Sequence, residues 1–195
     1  YEAMDTDPII ASTLDILSDE ATLKNDMGEV LSIKSSDENI QKILYNLFYD
    51  VLNIEFNLWS WTRNMCKYGD FFLKLEIAEK FGVYNVLPYT VYHMTRQEGL
   101  DKENPAKVTF QLDPDGLASS QSPNYKPKSN RKVIEFDNYE IAHFRLISDT
   151  HYLPYGRSFI EPARKIFKQL TLMEDAMLIH RIMRAPEKRT FYINV

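Results

Sequence analysis

The sequence predicts an α+β fold built from long helices and small antiparallel β elements. Three observations predict it. Apolar residues recur at helical spacing over three stretches, two of them close to 30 residues long. Short alternating segments between residues 71 and 146 are separated by turn residues. Aromatic residues make up 13% of the 195-residue chain, enough apolar surface for a packed core.

Residues 5–23 form the first helix: Thr6 or Asp7 caps it, Pro8 fits the first turn, and Ile10, Leu14, Leu17 and Ala21 make its stripe. Asn25-Asp26-Met27-Gly28 is turn chemistry, and Val30, Leu31 and Ile33 make a short strand. Ser36-Asp37-Glu38-Asn39 opens a second helix. Its apolar positions run from Ile40 through Leu47, Phe48, Val51, Leu52 and Phe56 to Met65, and it stops before Gly69. As one rod it is ~45 Å long.

Phe71–Ile77 alternates, and Glu79-Lys80-Phe81-Gly82 separates it from Val83–Pro88, which predicts a hairpin. A second β region holds 107–112, 133–136 and 141–146, with the Asp113-Pro114-Asp115-Gly116 turn inside it. Residues 117–130, rich in Ser, Pro, Asn and Lys, form a flexible loop. Ser158 caps a third helix, 158–184, whose stripe includes Ile160, Phe167, Leu170, Met173, Met177 and Ile182. It ends before Ala185-Pro186, because the residue preceding a proline is pushed out of helical geometry. The chain reads as an interior piece of a longer protein: it lacks an initiator Met, and Phe191–Val195 alternates like a strand without a following partner.

Composition excludes several function classes. The start Tyr1-Glu2-Ala3-Met4-Asp5 has neither the basic nor the apolar region of a secretory signal, and no stretch approaches a membrane-spanning apolar run. A single cysteine, Cys66, excludes an internal disulfide and any multi-cysteine metal site. Residues 1–100 carry 8 basic and 16 acidic side chains; residues 101–195 carry 15 and 12. An acidic first half repels a polyanion, so a tight grip on nucleic acid along the whole chain is not expected.

The motifs of catalysis are absent. There is no GxxxxGK[ST], GxGxxG or GxSxG. His93, His143, His151 and His180 never stand at metal-ligand spacing and read as structural. Cys66 reads as a buried thiol on an apolar helix. Glu174 and Asp175 are adjacent on a helix and point ~100° apart, so they do not converge as a catalytic pair; a solvated face or an inter-subunit salt bridge fits them better. Residues 156–190 hold 8 bases and 4 acids, with Arg181, Arg184, Lys188 and Arg189 at the end. Helix-end electrostatics, contacts to a neighbouring subunit and phosphate contacts all remain open for them. The cluster Phe56, Trp59, Trp61, Tyr68, Phe71 and Phe72 reads as core rather than as a base-stacking platform.

Several blocks carry a family resemblance. Asn46–Asp50, Asn53–Asn57, Arg63–Lys74, Tyr155–Ser158 with Glu161-Pro162, and the eighteen residues Leu172–Arg189 lie in order along the chain. Together they resemble the portal (head–tail connector) proteins of T-even-like contractile-tailed phages.

The resemblance implies a non-enzymatic subunit of a twelve-membered ring at one capsid vertex, with no catalytic residue, metal or cofactor. The ring would pass double-stranded DNA during packaging and ejection. It would dock terminase, the major capsid protein and neck or tail proteins. Residues 1–156 would be wing, 157–186 a stem helix and 187–195 the start of the clip, roughly the middle third of a subunit. Arg181, Arg184, Lys188, Arg189, Glu174 and Asp175 would then be subunit-interface or stem–clip residues, while DNA-contacting residues stay unassigned. The expected location is the virion, after assembly in the host cytoplasm or at its inner membrane. The alternative is an α+β nucleic-acid-associated module using the basic helix 156–190.

Overall fold

The computed structural model describes residues 1–99, 102–113, 133–147, 150–185 and 190–193. The fold is α+β, as the sequence predicts. Its helical layer opens with a short α1 (Glu2–Asp5) and then α2 (Pro8–Ala21). Asp7 is the N-cap of α2; its carboxylate accepts from Ile9 N at 2.9 Å and Ile10 N at 3.3 Å, satisfying donors that the first turn leaves open. Residues 30–33 form no strand, a correction to the sequence reading. Tyr49 Oη donates instead to Leu31 O, and Gln41 Nε2 donates to Ile33 O at 3.0 Å, so side chains rather than a ladder hold the segment.

The predicted single rod over 36–67 is also corrected. It is broken into α3 (Glu38–Tyr45), a π-helical stretch Asn46–Val51, and α4 (Ile54–Tyr68). At Asn53 the backbone enters the left-handed region, φ 44°, where asparagine is better tolerated than most residues. A wider turn followed by a reversal in backbone hand redirects the chain. Periodicity cannot reveal it, because apolar residues continue on both sides of the break. α4 ends as expected: Gly69 takes φ 88° and its N–H donates to Met65 O at 2.7 Å.

The predicted hairpin forms as β1 (Asp70–Ala78) and β2 (Gly82–Tyr89), antiparallel, with a bulge at Glu76/Ile77. The second β region is regrouped. β6 (Ile141–Arg145) adds to the free edge of β1, giving sheet order β2-β1-β6. The other sheet, β3-β4-β5, consists of Met94–Glu98, Val108–Leu112 and Ile134–Asp137. β3 carries one buried apolar residue, Met94, in Met-Thr-Arg-Gln-Glu, so alternation could not announce it. The 117–130 loop lies outside the described residues.

The two sheets share a core of Phe72, Met94, Phe110, Leu112, Phe136 and Ile141. A polar thread runs through it. His143 Nε2 donates to Asp70 Oδ1 at 2.8 Å, and Nδ1 faces Arg96 Nη1 at 3.3 Å, so both ring nitrogens of this buried histidine have partners. Its ring stacks on Phe72 at 4.3 Å. A second cluster, Met4, Leu14, Cys66 and Ile160, joins α1, α2 and α4 to the segment that opens the last helix.

Charge reinforces that helical layer. Arg63 on α4 forks onto Asp5 at 2.8 and 3.2 Å and reaches Asp15 at 2.6 Å, while buried Lys67 meets Glu2 at 2.7 Å and Asp5 at 2.9 Å. Hydrogen bonds from Arg63, joined by Lys67, outweigh burial and hold the Asp5 carboxyl at about 2. A carboxyl depressed in the folded state contributes stability that is full above its unfolded pKa and lost as pH falls through the folded one. Acid titration of stability is therefore expected to steepen between about pH 4 and 2, and Asp5→Asn should flatten that limb. An unchanged acid limb in Asp5→Asn would contradict this role.

Candidate functional site: a projecting helix and its root

The last helix, α5 (Arg164–Arg184), is a 21-residue rod ~31 Å long. It begins later than expected, because Glu161–Ala163 form a 3-10 turn before it. None of its residues is buried. Ile166, Leu170, Leu172, Met173, Met177, Leu178, Ile179, Ile182 and Met183 are each 45% to 72% exposed. At ~100° per residue these fall on more than one side. Ile166, Leu170, Met173 and Met177 make one stripe; Leu172, Ile179 and Met183 lie roughly opposite. Large apolar side chains left exposed on more than one side, with charged residues between them, mark surface suited to being covered.

The predicted site residues sit on this rod. Arg181, Arg184, Glu174 and Asp175 are exposed, and among the described residues their side chains have no hydrogen-bond or ion-pair partner. No opposite charge lies three or four positions from any of them within the helix, so intrahelical pairing does not use them up. Glu174 and Arg181, seven apart, share a stripe; Asp175 faces elsewhere. Lys165 and Lys168 project on the side opposite Arg181 and Arg184, so the bases form no single face. Lys188 and Arg189 lie outside the described residues. Phe191, Tyr192 and Ile193 are more than four-fifths exposed and make no strand in the single chain.

The root of α5 is as tightly held as its shaft is bare. Residues 156–160 cross the C-terminal end of α4, whose last carbonyls lack intrahelical partners. Ser158 Oγ donates to Lys67 O at 2.6 Å, and Phe159 N donates to Cys66 O at 3.0 Å. Ser158 Oγ also accepts from Ile160 N at 3.2 Å. Gly156 N donates to Asp70 Oδ1 at 2.9 Å, the same oxygen that holds His143. Tyr1 Oη donates to Glu161, which pairs with Arg164 at 3.1 Å; burial and Glu161 push the Tyr1 hydroxyl up to about 12. Composition and periodicity missed this junction. No local pattern announces it, because Gly69 and Gly156 meet only in the folded chain.

Two further surfaces frame the site. An apolar groove of about 390 Å³ runs between α4 and the sheet β2-β1-β6, with Phe48, Leu52, Leu58, Trp61, Phe71 and Phe144 among its walls. The aromatic cluster expected as core is divided: Phe71 and Phe72 are buried, but Phe56 is 78% exposed and Trp59 lies at the surface, bonded to Asp19 at 2.7 Å. Cys66 is buried, and burial pushes its thiol up, away from the range of a reactive thiolate. Among the described residues, no helix is long and apolar enough to cross a membrane.

The last helix thus carries large exposed apolar side chains on a firmly held root. The whole chain, residues 1–195, matches the family described as Bacteriophage T4-like portal protein (Gp20). The chain belongs to the T4-like portal protein family. A portal protein of Vibrio phage KVP40 is 30% identical over 104 residues, covering 51% of this chain and 20% of that protein. The matched stretch is thus about one fifth of that portal protein's length. Within this portal chain the family blocks Arg63–Lys74 and Tyr155–Ser158, distant in sequence, are the two halves of the α4–α5 junction.

Proposed function

We propose that this chain is the wing and stem of a portal subunit, a wedge that closes into a ring with copies of itself. One observation carries the reading: α5 exposes large apolar side chains on opposed sides. A wedge in a ring meets a neighbour on each side through two different surfaces, which is what a head-to-tail cyclic assembly requires. Residues 1–156 are the wing, 157–186 the stem and 187–195 the start of the clip. The ring, of twelve copies by family resemblance, passes double-stranded DNA at the capsid vertex. It offers docking surfaces to terminase, capsid and neck or tail proteins. It performs no catalysis of its own. Sparse bases, split between opposite sides of α5, suit sliding better than a continuous basic track, which would clamp the polyanion.

Negative-stain imaging and mass photometry of the full-length protein are expected to show closed rings with a central hole. Charge reversal in Arg184→Glu/Arg189→Glu is expected to reduce ring formation at least several-fold, because both positions lose the positive charge with which they would pair across the stem–clip junction. Intact rings from that variant would remove these two residues from the assembly role. A monomer with salt-sensitive DNA affinity would overturn the ring reading in favour of the nucleic-acid module.

A further inference from the structure

We infer that Ser158, with the Gly69–Gly156 crossing beneath it, is the positioning element that sets the direction of α5 and thereby the angle at which neighbouring copies meet. The inference rests on the ring reading and adds to it the residues that fix ring geometry.

α5 has no buried residue, and Phe167 near its start packs against the helical cluster, so the shaft beyond it does little to aim the helix. Direction must come from the root. There Ser158 ties the end of α4 to the segment that leads into α5: its hydroxyl donates to the carbonyl of Lys67 and accepts from Ile160 N, just before the 3-10 turn Glu161–Ala163. It is 3% exposed, so water does not compete for these bonds. Phe159 N on Cys66 O and Arg157 N on Leu146 O at 2.9 Å fix the segment on either side. Leu146 N in turn donates to Gly69 O at 2.9 Å, closing a backbone lattice around the crossing. Below it, Ile160 packs among Met4, Leu14 and Cys66, and Phe167 on the first turns of α5 rests against the same cluster. The result is a cap in trans: the segment that leads into α5 supplies donors to the open carbonyls at the end of α4.

Leverage makes this placement consequential. A 10° error at the root displaces the far end of a ~31 Å rod by ~5 Å, about the length of one helical turn. Contacts between successive copies would then slip out of register, and a cyclic assembly closes only when its repeated rotation returns to the start.

The test is a count of copies per ring in the full-length protein by native mass spectrometry and particle imaging. Ser158→Ala is expected to stay folded, with unchanged circular dichroism, while closed wild-type-sized rings fall at least threefold and assemblies with more or fewer copies appear. Ser158→Cys, which keeps the volume with a weaker donor, is expected to fall between the two and serves if the alanine variant does not fold. Phe136→Leu, a destabilising change in the remote sheet, should keep the wild-type count. A wild-type distribution in both Ser158 variants overturns the inference and leaves the ring reading standing. Equal broadening in Phe136→Leu overturns it too, since the effect is then global stability. Absence of rings in the wild-type protein sinks the ring reading itself.

Discussion

Gly156→Ala is expected to abolish the native fold rather than weaken it. A Cβ at this position would stand 2.0 Å from Gly69 O and 2.8 Å from Leu146 N, both backbone atoms. Neither can yield by a change of rotamer. Gly69 is held at φ 88° by its role at the end of α4, and its carbonyl accepts from Leu146 N. Separating the two strands of chain breaks that bond and the Ser158 and Phe159 caps above it. We expect a loss of more than ~4 kcal/mol, beyond the range of most single substitutions. Gly82→Ala is the control: its Cβ meets nothing within 4 Å, and only its φ of +70° opposes the change, worth ~1–2 kcal/mol. Urea unfolding of the two variants distinguishes steric exclusion from simple glycine preference. A Gly156→Ala protein with a wild-type unfolding midpoint would refute the close crossing.

Phe72→Ala carries the second large effect. Phe72 lies on the central strand of its sheet, 1% exposed, paired opposite His143 and edge-on to Phe110 of the other sheet at 6.1 Å. Its ring is the surface on which the two sheets meet. Removing it leaves a cavity that the facing β strands cannot collapse without losing register, at a cost of ~3–5 kcal/mol. It also leaves the His143 ring, held at both nitrogens, without its stacking partner. Phe81→Ala, at an 84% exposed turn position, should change stability by no more than ~0.5 kcal/mol. Thermal and urea unfolding of the pair are the measurements; a small effect at Phe72 would mean that the sheets do not share one core.

Elements governed by local rules could be read directly. Asp7 and Pro8 open α2, Gly69 closes α4, and Glu79–Gly82 folds β1 onto β2, each through interactions within a few residues. The charged side chains Glu174, Asp175, Arg181 and Arg184 of α5 were singled out through the family block Leu172–Arg189 that contains them. Elements governed by distant partners could not be read. The rod over 36–67 breaks at Asn53, although its apolar period runs on unbroken. β6 leaves its sequence neighbours for β1, and β3 exists because β4 supplies its ladder rather than because its residues favour a strand.

By itself, then, the sequence determined the α+β class, the start of α2, the end of α4, the β1–β2 hairpin, the family resemblance and a last helix that mixes apolar and charged side chains. Tertiary structure alone decided that this helix stands bare on opposed sides, and that Gly69, Gly156 and Ser158 join α4 to its root. The physical reason is range. Caps, turns and amphipathic periods are settled by bonds spanning a few residues, whereas the contact between residues 69 and 156 depends on where two separately formed helices bring their ends together.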